Sequence, residues 1–572
     1  MKTLLVAINA KYIHTNAAVY SLQKSAAAYE KRLSLSVGEV VVREFGINQS
    51  IESIYYEILA EKPDVVAFSV YIWNVEMVKK LCSDLKEAKP GLSVWLGGPE
   101  VSFGLEEKGF NEKAYDVVME GEGERVFCYL LACAAGQEAK LPTDWKIYQN
   151  DKAFHAELIP NLEELPYIYD DLTPFQNRIL YYEASRGCPF RCTYCLSAAE
   201  HGVRELPLER VLRELEDLEK RKVPQIKFVD RTFNCHPGRA AKILQWIQQL
   251  PSGSITNFHF EVEADLLSEE LVDIMVQMPK GRIQLEIGIQ STNAETLRSC
   301  GRTERLDRVF KNVKRLVEAG NSNIHVDLIA GLPYEDYTRF GQSFDDVYRM
   351  GAHQFQLGFL KLLTGAPMNQ MINTYGYIFS KHSPYEILSN HFLSPEDLYR
   401  LKCIEDVLER LYNSGRFARF LSVLETHYAG PFAMMSEIAE VFRKKGIIFT
   451  AIGLTELFDE MALFSERFED QEKLKQALLL DHYAATPSDR LPKELQLLSQ
   501  LPERLQQENS RREQKLEAAG LLRAIGRRER KMMIRYCAGR AVAIDYTERD
   551  PVTGQFEILD SIQELLKNSH PE

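Results

Sequence analysis

The segment RGCPFRCTYC, residues 186–195, decides the fold because it carries three cysteines, Cys188, Cys192 and Cys195, in a Cys-x3-Cys-x2-Cys pattern. With 10 cysteines in 572 residues, chance would produce such a triplet about 0.003 times. A structural zinc site uses four ligands, and no matching fourth cysteine or histidine pair lies nearby in the sequence. Three closely spaced thiolates bind three irons of a cubane cluster and leave the fourth iron open. The pattern therefore predicts an iron-sulfur cluster with one iron available for chemistry.

The cysteine segment follows the first of six predicted strands, each of which precedes a helical pattern. This alternation favours an α/β fold and a partial (β/α)6 barrel over residues 176–368, with its chemistry at the carboxyl ends of the strands. The strands are predicted over residues 180–184, 225–229, 257–262, 283–289, 325–329 and 354–360.

Residues 1–135 show the same alternation and form a separate predicted domain. Short β-branched runs and amphipathic stretches predict a doubly wound, Rossmann-like parallel sheet. Ligands of such sheets bind beyond the carboxyl ends of the strands. Strands are predicted over residues 3–8, 37–43, 65–70, 93–96 and 115–118, and helices over 17–29 and 75–87.

Two further regions complete the chain. Residues 136–175 form a predicted linker strap, because Pro142, Pro160, Pro166 and Pro174 interrupt the α/β pattern. Residues 369–572 form a mostly helical C-terminal domain of unknown function. Helices are predicted over residues 398–412, 433–445, 471–481 and 503–536, followed by strands over 541–545 and 555–559 that pair as a hairpin around 551–554.

The composition excludes several classes of protein. The hydrophobic fraction of 45% is too high for a disordered chain, and the cysteines are too sparse for a disulfide-rich secreted scaffold. No signal-peptide core is present, and no run approaches the ~18 apolar residues of a membrane helix. We therefore expect a cytoplasmic protein that does not bind membranes.

The net charge of −13 argues mildly against nucleic acid as a partner. A basic stretch in the C-terminal domain weakens this argument. The basic stretch is either a solvated or domain-contacting helix face or a site for an anionic substrate or nucleic acid. The stretch consists of Arg511, Arg512, Arg523, Arg527, Arg528, Arg530 and Lys531.

Residues 176–365 resemble the radical S-adenosylmethionine (SAM) superfamily, in which a cysteine triad on this loop binds a [4Fe-4S] cluster and SAM chelates the open iron. The resemblance implies that Cys188, Cys192 and Cys195 are the metal ligands. It also places Tyr194, the aromatic residue before the last cysteine, near the adenine of SAM. The alternative for Tyr194 is a loop aromatic that packs on the barrel rim.

Further positions match SAM-binding motifs of the superfamily. Glu286, Gly288, Gln290 and Ser291 lie at the end of the fourth strand, where the superfamily binds ribose, and Gly331 at the end of the fifth lets the backbone approach the adenine. Alternation on the third strand is interpreted as placing Glu261 and Glu263 on one face, opposite His259. If that face points inward, a carboxylate can pair with the SAM ammonium; if it points outward, both are solvated. The polar segment 230–234 and Cys235 also lie near the barrel mouth.

The domain order resembles the cobalamin (vitamin B12)-binding branch of the superfamily. Residues 96–102 (LGGPEVS), 120–124 (EGEGE) and 160–166 (PNLEELP) carry this resemblance. It implies that the first domain binds cobalamin. The residues expected to contact cobalamin are Gly97, Gly98, Glu100, Gly121 and Glu122.

The loop after the first strand departs from the best-known cobalamin motif, Asp-x-His-x-x-Gly, in which the histidine binds below the cobalt. This chain has NAKYIH at residues 9–14 in that place, and no position of the motif matches. His14 is either a cobalt ligand or a loop histidine held by hydrogen bonds. Without a protein nitrogen below the cobalt, we expect easier methyl transfer from its upper face.

The resemblance implies a cobalamin-dependent radical SAM enzyme that methylates an unactivated carbon through a 5′-deoxyadenosyl radical and methylcobalamin. The alternatives are a non-methylating rearrangement or oxidation with the same cofactors, a methylthiotransferase, and a cobalamin carrier or sensor without catalysis. The expected partners are a small-molecule or natural-product-like substrate and a reductant such as flavodoxin or ferredoxin. No catalytic residue beyond the cofactor contacts is predicted.

Overall fold

The computed structural model describes residues 1–105, 108–199, 202–303, 305–500, 532–538 and 540–559. The chain divides into two compact units. The first consists of Met1–Glu286, Leu297–Glu304 and Phe359–His391, and the second of Ile287–Thr296, Arg305–Gly358 and Phe392–Glu572. No helix among the described residues is long and apolar enough to cross a membrane.

The N-terminal part is a seven-stranded sheet with helices between its strands, which confirms the predicted Rossmann-like class. Its strands are β1 (Lys2–Asn9), β2 (Glu39–Gly46), β3 (Val65–Ser69), β4 (Ser93–Gly97), β5 (Val117–Glu120), β6 (Ile147–Asn150) and β7 (Ala153–Ala156). Its helices are α1 (Ala17–Leu33), α2 (Ile51–Ala60), α3 (Val75–Ala88) and α4 (Gly123–Ala134). The order is β2-β1-β3-β4-β5-β7-β6, and every neighbouring pair is parallel except β6 and β7. Because β1 lies between β2 and β3, with no free edge, its apolar run Leu4–Ile8 is at most 1% exposed.

The predicted strap contains a hairpin that the sequence pattern missed. Strands β6 and β7 pair antiparallel, and β7 extends the first sheet from β5. Both strands are short and none of their residues is fully buried. An edge hairpin of this kind lacks the buried apolar run by which the other strands were recognised.

The carboxylate of Glu44 anchors the first loop of this domain. Its Oε1 accepts hydrogen bonds from Asn9 Nδ2 at 2.8 Å and the Asn16 backbone at 3.0 Å. Its Oε2 accepts from the Tyr20 hydroxyl at 2.9 Å and from Arg178 at 2.6 Å. The Glu44 side chain is only 5% exposed, so the carboxylate is a buried charge with four donors.

We expect Glu44→Ala to lower the free energy of unfolding of the first unit by about 3–5 kcal/mol, because it leaves the Arg178 guanidinium buried without its counter-ion. Thermal and urea unfolding measure this loss. The control is Glu157→Gln, which removes the ion pair of Glu157 with Lys146, two side chains that are 52% and 61% exposed, and should leave the melting temperature unchanged. Equal melting temperatures for the two variants would contradict the assignment.

The second α/β part contains a six-stranded sheet. Its strands are β8 (Leu180–Tyr182), β11 (Gln225–Phe228), β12 (Asn257–Val262), β13 (Ile283–Gln290), β14 (Asn323–Ala330) and β15 (Gln354–Phe359), and a separate hairpin contains β9 (Ser185–Cys188) and β10 (Gly202–Glu205). Its helices are α5 (Leu208–Lys220), α6 (Pro237–Gln248), α7 (Glu269–Val276), α8 (Ala294–Ser299), α9 (Leu306–Ala319) and α10 (Tyr337–Tyr348). The order β15-β14-β13-β12-β11-β8 follows the chain. All six predicted barrel strands are confirmed.

The C-terminal region is mostly helical, as predicted. Its helices are α11 (Ile372–Tyr375), α12 (Pro395–Leu411), α13 (Ala418–Leu424), α14 (Pro431–Lys444), α15 (Leu454–Ser465) and α16 (Gln471–Ala485). Its strands are β16 (Ile378–Phe379), β17 (Ile387–Ser389), β18 (Met532–Cys537), β19 (Arg540–Asp545) and β20 (Glu557–Leu559). The antiparallel pairing of β19 with β20 confirms the closing hairpin.

One C-terminal prediction is wrong. The helix predicted over residues 503–536 does not include residues 532–536, which form β18 and pair antiparallel with β19. Pairing with a neighbouring strand overrides the local helical pattern at this point. The rest of that predicted helix, with the seven basic residues from Arg511 to Lys531, lies outside the described residues.

Candidate functional site

The three cysteines of the motif lie on and after the β9–β10 hairpin. Cys188 ends β9, opposite Gly202 of β10, and its Sγ lies 3.6 Å from the Thr232 hydroxyl. A turn in which the Cys195 amide donates to the Cys192 carbonyl at 3.0 Å brings these two residues together. All three are free, partly buried thiols. The hairpin and the turn therefore gather the triad on one loop.

The donor set of the triad fits an iron-sulfur cluster. Cys188, Cys192 and Cys195 are free, partly buried thiols on one loop. Three such thiolates can bind three irons of a cubane cluster and leave the fourth iron open.

Backbone contacts hold the cysteine loop in place. The Thr193 amide donates to the Cys300 carbonyl at 3.0 Å, and the Met368 amide donates to the Thr193 carbonyl at 2.7 Å. Gly301 has a φ of +73°, and a Cβ at this position would lie 2.9 Å from the Arg191 carbonyl oxygen. Glycine is therefore required where segment 300–302 approaches the loop.

We expect Gly301→Ala to reduce the iron bound per chain several-fold after anaerobic reconstitution, because the methyl group displaces the cysteine loop and the left-handed backbone adds a penalty of about 1–3 kcal/mol. The measurement is iron and sulfide content. Gly320 also has a positive φ, +62°, but a Cβ at this position would have no atom within 4 Å. Gly320→Ala should therefore keep its iron, and an equal loss in both variants would contradict the role given to Gly301.

Arg302 is a central residue of the site that the sequence did not reveal. Its guanidinium lies 3.7 Å from Cys192 Sγ, donates to the Tyr194 hydroxyl at 3.1 Å and pairs with Glu263 at 2.9 Å. The side chains of Arg302 and Glu263 are each 10% exposed. Burial raises the pKa of the Glu263 carboxyl, and the Arg302 charge opposes this increase. Glu263 Oε1 is buried without a hydrogen-bond partner, so this carboxylate can accept a hydrogen bond from a ligand.

A second polar group lies on β11, β12 and β13. Glu286 pairs with Lys227 at 2.9 Å and lies 3.1 Å from His259 Nε2. Burial raises the pKa of Glu261, with the Arg231 charge opposing it and the Glu286 charge adding to it. The prediction that His259 faces away from Glu261 is wrong. Side chains two residues apart on a strand point to the same face, so residues 259, 261 and 263 share one face.

The other predicted SAM contacts form a separate group on β13 and β14. Gln290 donates to Asp327 at 3.2 Å, and its side chain fills the space beside Gly288, where a Cβ would lie 2.4 Å from Gln290 Nε2. Ser291 is fully buried and donates to Glu335 at 2.7 Å. Gly331 follows β14 with a φ of +99°. The role of these residues in SAM binding stays a prediction.

A cavity of about 770 Å³ opens at the carboxyl ends of the strands in the first sheet. This volume lies in the range of small-molecule sites. Its walls include five glycines and a stacked Tyr71–Trp73 pair with ring centroids 4.4 Å apart. The predicted contacts in its lining are Gly97, Gly98, Gly121 and Glu122.

Glu100 is the predicted cobalamin contact that does not line this cavity. Its carboxylate pairs with Lys108 at 2.6 Å, and the two side chains are 7% and 5% exposed. Lys108 also lies 3.9 Å from the centre of the Tyr385 ring. Glu100 therefore stabilises the loop after β4 instead of facing the cavity.

A buried ion network joins the cavity to the cysteine motif. Arg186, two residues before Cys188, pairs with Glu124 at 2.6 Å, with Glu183 at 2.9 Å and with Glu122 at 3.1 Å. Arg204 also pairs with Glu122, at 2.8 Å. Despite burial, these charges and hydrogen bonds lower the pKa of Glu122. Glu122 therefore remains an ionised acceptor at the cavity wall.

His14 lines the same cavity, and its Nδ1 lies 2.5 Å from the Tyr181 hydroxyl. Burial and the Lys11 charge lower the pKa of His14, which keeps the ring neutral. The structure therefore shows His14 held by a hydrogen bond with Tyr181, and its part in cobalt binding stays a prediction.

Comparisons with known proteins agree with this arrangement. Family models described as the B12 binding domain, the Radical SAM superfamily and a protein of unknown function (DUF4080) match residues 4–131, 182–347 and 373–555. The cobalamin-dependent radical SAM methyltransferase TokK of Streptomyces tokunonensis is 26% identical over 55% of this chain and 50% of its own length. The hopanoid C-3 methylase of Methylococcus capsulatus is 26% identical over 49% of this chain and 55% of its own length.

The chain thus spans about half the length of the curated relatives it matches. Among solved structures, the radical SAM methyltransferase TsrM of Kitasatospora setae, with cobalamin and a [4Fe-4S] cluster bound, aligns with a TM-score of 0.55 at 16% identity, over 77% of this chain and 98% of TsrM. At that identity the likeness shows the fold alone. The Radical SAM model implies a [4Fe-4S] cluster and SAM, and the B12 model implies cobalamin. The chain therefore combines a B12 binding domain and a Radical SAM superfamily domain with a C-terminal region that matches DUF4080.

Proposed function

We propose that the protein is a cobalamin-dependent radical SAM methyltransferase that methylates an unactivated carbon of a small molecule. One observation carries this proposal. A cysteine triad with cluster spacing follows Arg186, whose guanidinium binds two glutamates of the cavity in the first domain. Residues for radical generation and for cobalamin binding thus meet within a single unit.

When bound, the cluster and SAM supply a 5′-deoxyadenosyl radical, and cobalamin supplies a methyl group. Cys188, Cys192 and Cys195 hold three irons. Arg302 and the free oxygen of Glu263 offer opposite charges beside Cys192, which suits the carboxylate and ammonium groups of an amino acid. Tyr194 is oriented by Arg302 and closes this part of the site.

The first domain positions cobalamin. Gly97, Gly98 and Gly121 keep the cavity wall free of side chains, so that backbone can approach a large planar ligand. Glu122 can accept a hydrogen bond from a peripheral amide. The hydrogen bond between His14 and the Tyr181 hydroxyl orients this histidine at the cavity wall, where it would lie beside bound cobalamin.

The proposed partners are a small-molecule substrate and a one-electron reductant. The curated methyltransferases in the comparison include an enzyme named for a hopanoid, and a small-molecule substrate is consistent with a cavity of about 770 Å³. A one-electron reductant such as flavodoxin or ferredoxin is required by the cluster chemistry. Nucleic acid as a substrate is disfavoured by the acidic net charge of −13.

The test is anaerobic reconstitution with iron, sulfide and cobalamin, followed by reaction, in the presence of reduced flavodoxin or ferredoxin, with SAM that carries a deuterated methyl group and with a metabolite extract of the source cells. Mass spectrometry is expected to find 5′-deoxyadenosine, S-adenosylhomocysteine and a small molecule with the labelled methyl group. If 5′-deoxyadenosine forms and an altered product carries no label, the non-methylating alternative replaces the proposal. If no SAM is cleaved while cobalamin binds, the protein is a carrier or sensor.

A further inference from the structure

A second group of metal-ligand side chains lies outside the cysteine triad. Among the residues that the structure describes, Glu205, Cys235 and His236 offer ligand atoms that all lie within 4.8 Å of one another. His236 Nδ1 lies 2.7 Å from Glu205 Oε1 and 3.8 Å from Cys235 Sγ. From this geometry we propose that these three side chains form a mononuclear Zn²⁺ site, which does not depend on the proposed methyl transfer.

The distances fit one ion and not a cluster. With Zn–S bonds of about 2.3 Å and Zn–N and Zn–O bonds of about 2.0–2.2 Å, ligand atoms of a tetrahedral site lie roughly 3.2–3.7 Å apart. The 3.8 Å gap between the Cys235 sulfur and the His236 nitrogen lies about 0.1 Å beyond this range. The carboxylate of Glu205 has to retreat from the imidazole by about half an ångström, which a partly exposed glutamate allows.

The charges and ligand types also favour zinc. A thiolate and a carboxylate neutralise a divalent ion, and the mixed sulfur, nitrogen and oxygen set suits Zn²⁺ better than Mg²⁺ or Ca²⁺. Burial raises the pKa of the Cys235 thiol to about 11, and the charges of Glu205 and Asp230 contribute to this increase. The same negative charges attract a cation. Arg239, 3.5 Å from Glu205 Oε1, is the cation that zinc must compete with.

The site would connect two segments that flank the cluster loop. Glu205 ends β10 opposite Ser185 of β9, and Cys235 closes a turn on Thr232, whose hydroxyl lies 3.6 Å from Cys188 Sγ. The chain supplies three ligands, so a water molecule completes the tetrahedron. His236, which is 57% exposed, gives the ion a path from solvent.

The experiment uses the full chain with its cluster reconstituted, so that the triad is already occupied by iron. After dialysis against micromolar free zinc, elemental analysis is expected to find about one zinc per chain in addition to the cluster iron. X-ray absorption at the zinc edge should show one sulfur neighbour and about three nitrogen or oxygen neighbours. Three sulfur neighbours would place the zinc in the triad and overturn the proposal, as would the absence of bound zinc.

Variants test the ligands one at a time. Cys235→Ser and His236→Gln are each expected to weaken zinc binding at least tenfold, whereas Cys133→Ser, which changes a partly exposed cysteine on α4, should bind zinc like the parent protein. Iron and cobalamin contents serve as checks that each variant is folded. If both ligand variants keep full zinc binding, the ion is held elsewhere and the proposal is wrong.

Discussion

Replacing Cys188, Cys192 or Cys195 singly by alanine is expected to abolish SAM cleavage, with the rate of 5′-deoxyadenosine formation falling by at least about a thousandfold, or about 4 kcal/mol of transition-state stabilisation. Each cysteine supplies one of the three thiolates that hold the cluster, and the chain offers no replacement on that loop. Without the cluster there is no iron for SAM to bind and no electron for its cleavage. Iron content, the absorbance of the cluster and the yield of 5′-deoxyadenosine measure the loss.

The control for this series is Cys133→Ala. This cysteine is also partly exposed and free, but it lies on α4, away from the motif. It should keep the full iron content and activity. If an alanine variant of the triad retained its cluster and cleaved SAM at the parental rate, the assignment of the three ligands would fail. Cobalamin binding should survive in all three triad variants, because the cavity in the first domain does not use these thiols.

The barrel strands were predictable because their physical signal is local. Strand β13, for example, alternates buried Ile283, Leu285, Ile287 and Ile289 with partly exposed residues, and this alternation is visible in the sequence alone. Strand β1 also gave a local signal, a continuous apolar run that is buried because the strand lies between β2 and β3. The β6–β7 hairpin has no such signal, since edge strands in solvent tolerate almost any polar sequence.

The site was only partly predictable, because its key contacts join distant segments. The cysteine spacing identified the cluster ligands, and the glycines marked the cavity wall. Arg302 gave no such signal, since nothing in its segment distinguishes it from the nearby Arg298 and Arg305. It acquires its role only when the fold brings it to Cys192 and Glu263. Glu100 shows the opposite error. Its position in a motif predicted a contact with cobalamin, but its carboxylate forms an ion pair with the buried Lys108.

The alternation on β12 illustrates how a simple rule can be misapplied. His259 Nε2 lies 3.1 Å from a carboxylate oxygen of Glu286, and the period of two places His259 on the same face of β12 as Glu261. The face of the sheet that carries Glu261 therefore also carries His259, which the prediction had placed on the opposite face. Lys227 forms an ion pair with Glu286, so part of the charge in this polar group is neutralised within the group.

Arg302→Gln is expected to weaken SAM binding by about a hundredfold, or roughly 2.7 kcal/mol, because it removes the positive charge that faces Glu263 and the donor that orients Tyr194. Arg302→Lys keeps the charge but has no planar fork to contact three groups at once, so an intermediate loss is expected. The measurement is a SAM titration of the reduced cluster followed by electron paramagnetic resonance, normalised to bound iron. The matched control is Arg191→Gln, an exposed arginine on the cysteine loop, which should bind SAM like the parent. Unchanged affinity in Arg302→Gln at parental iron content would exclude a role for this guanidinium in holding SAM.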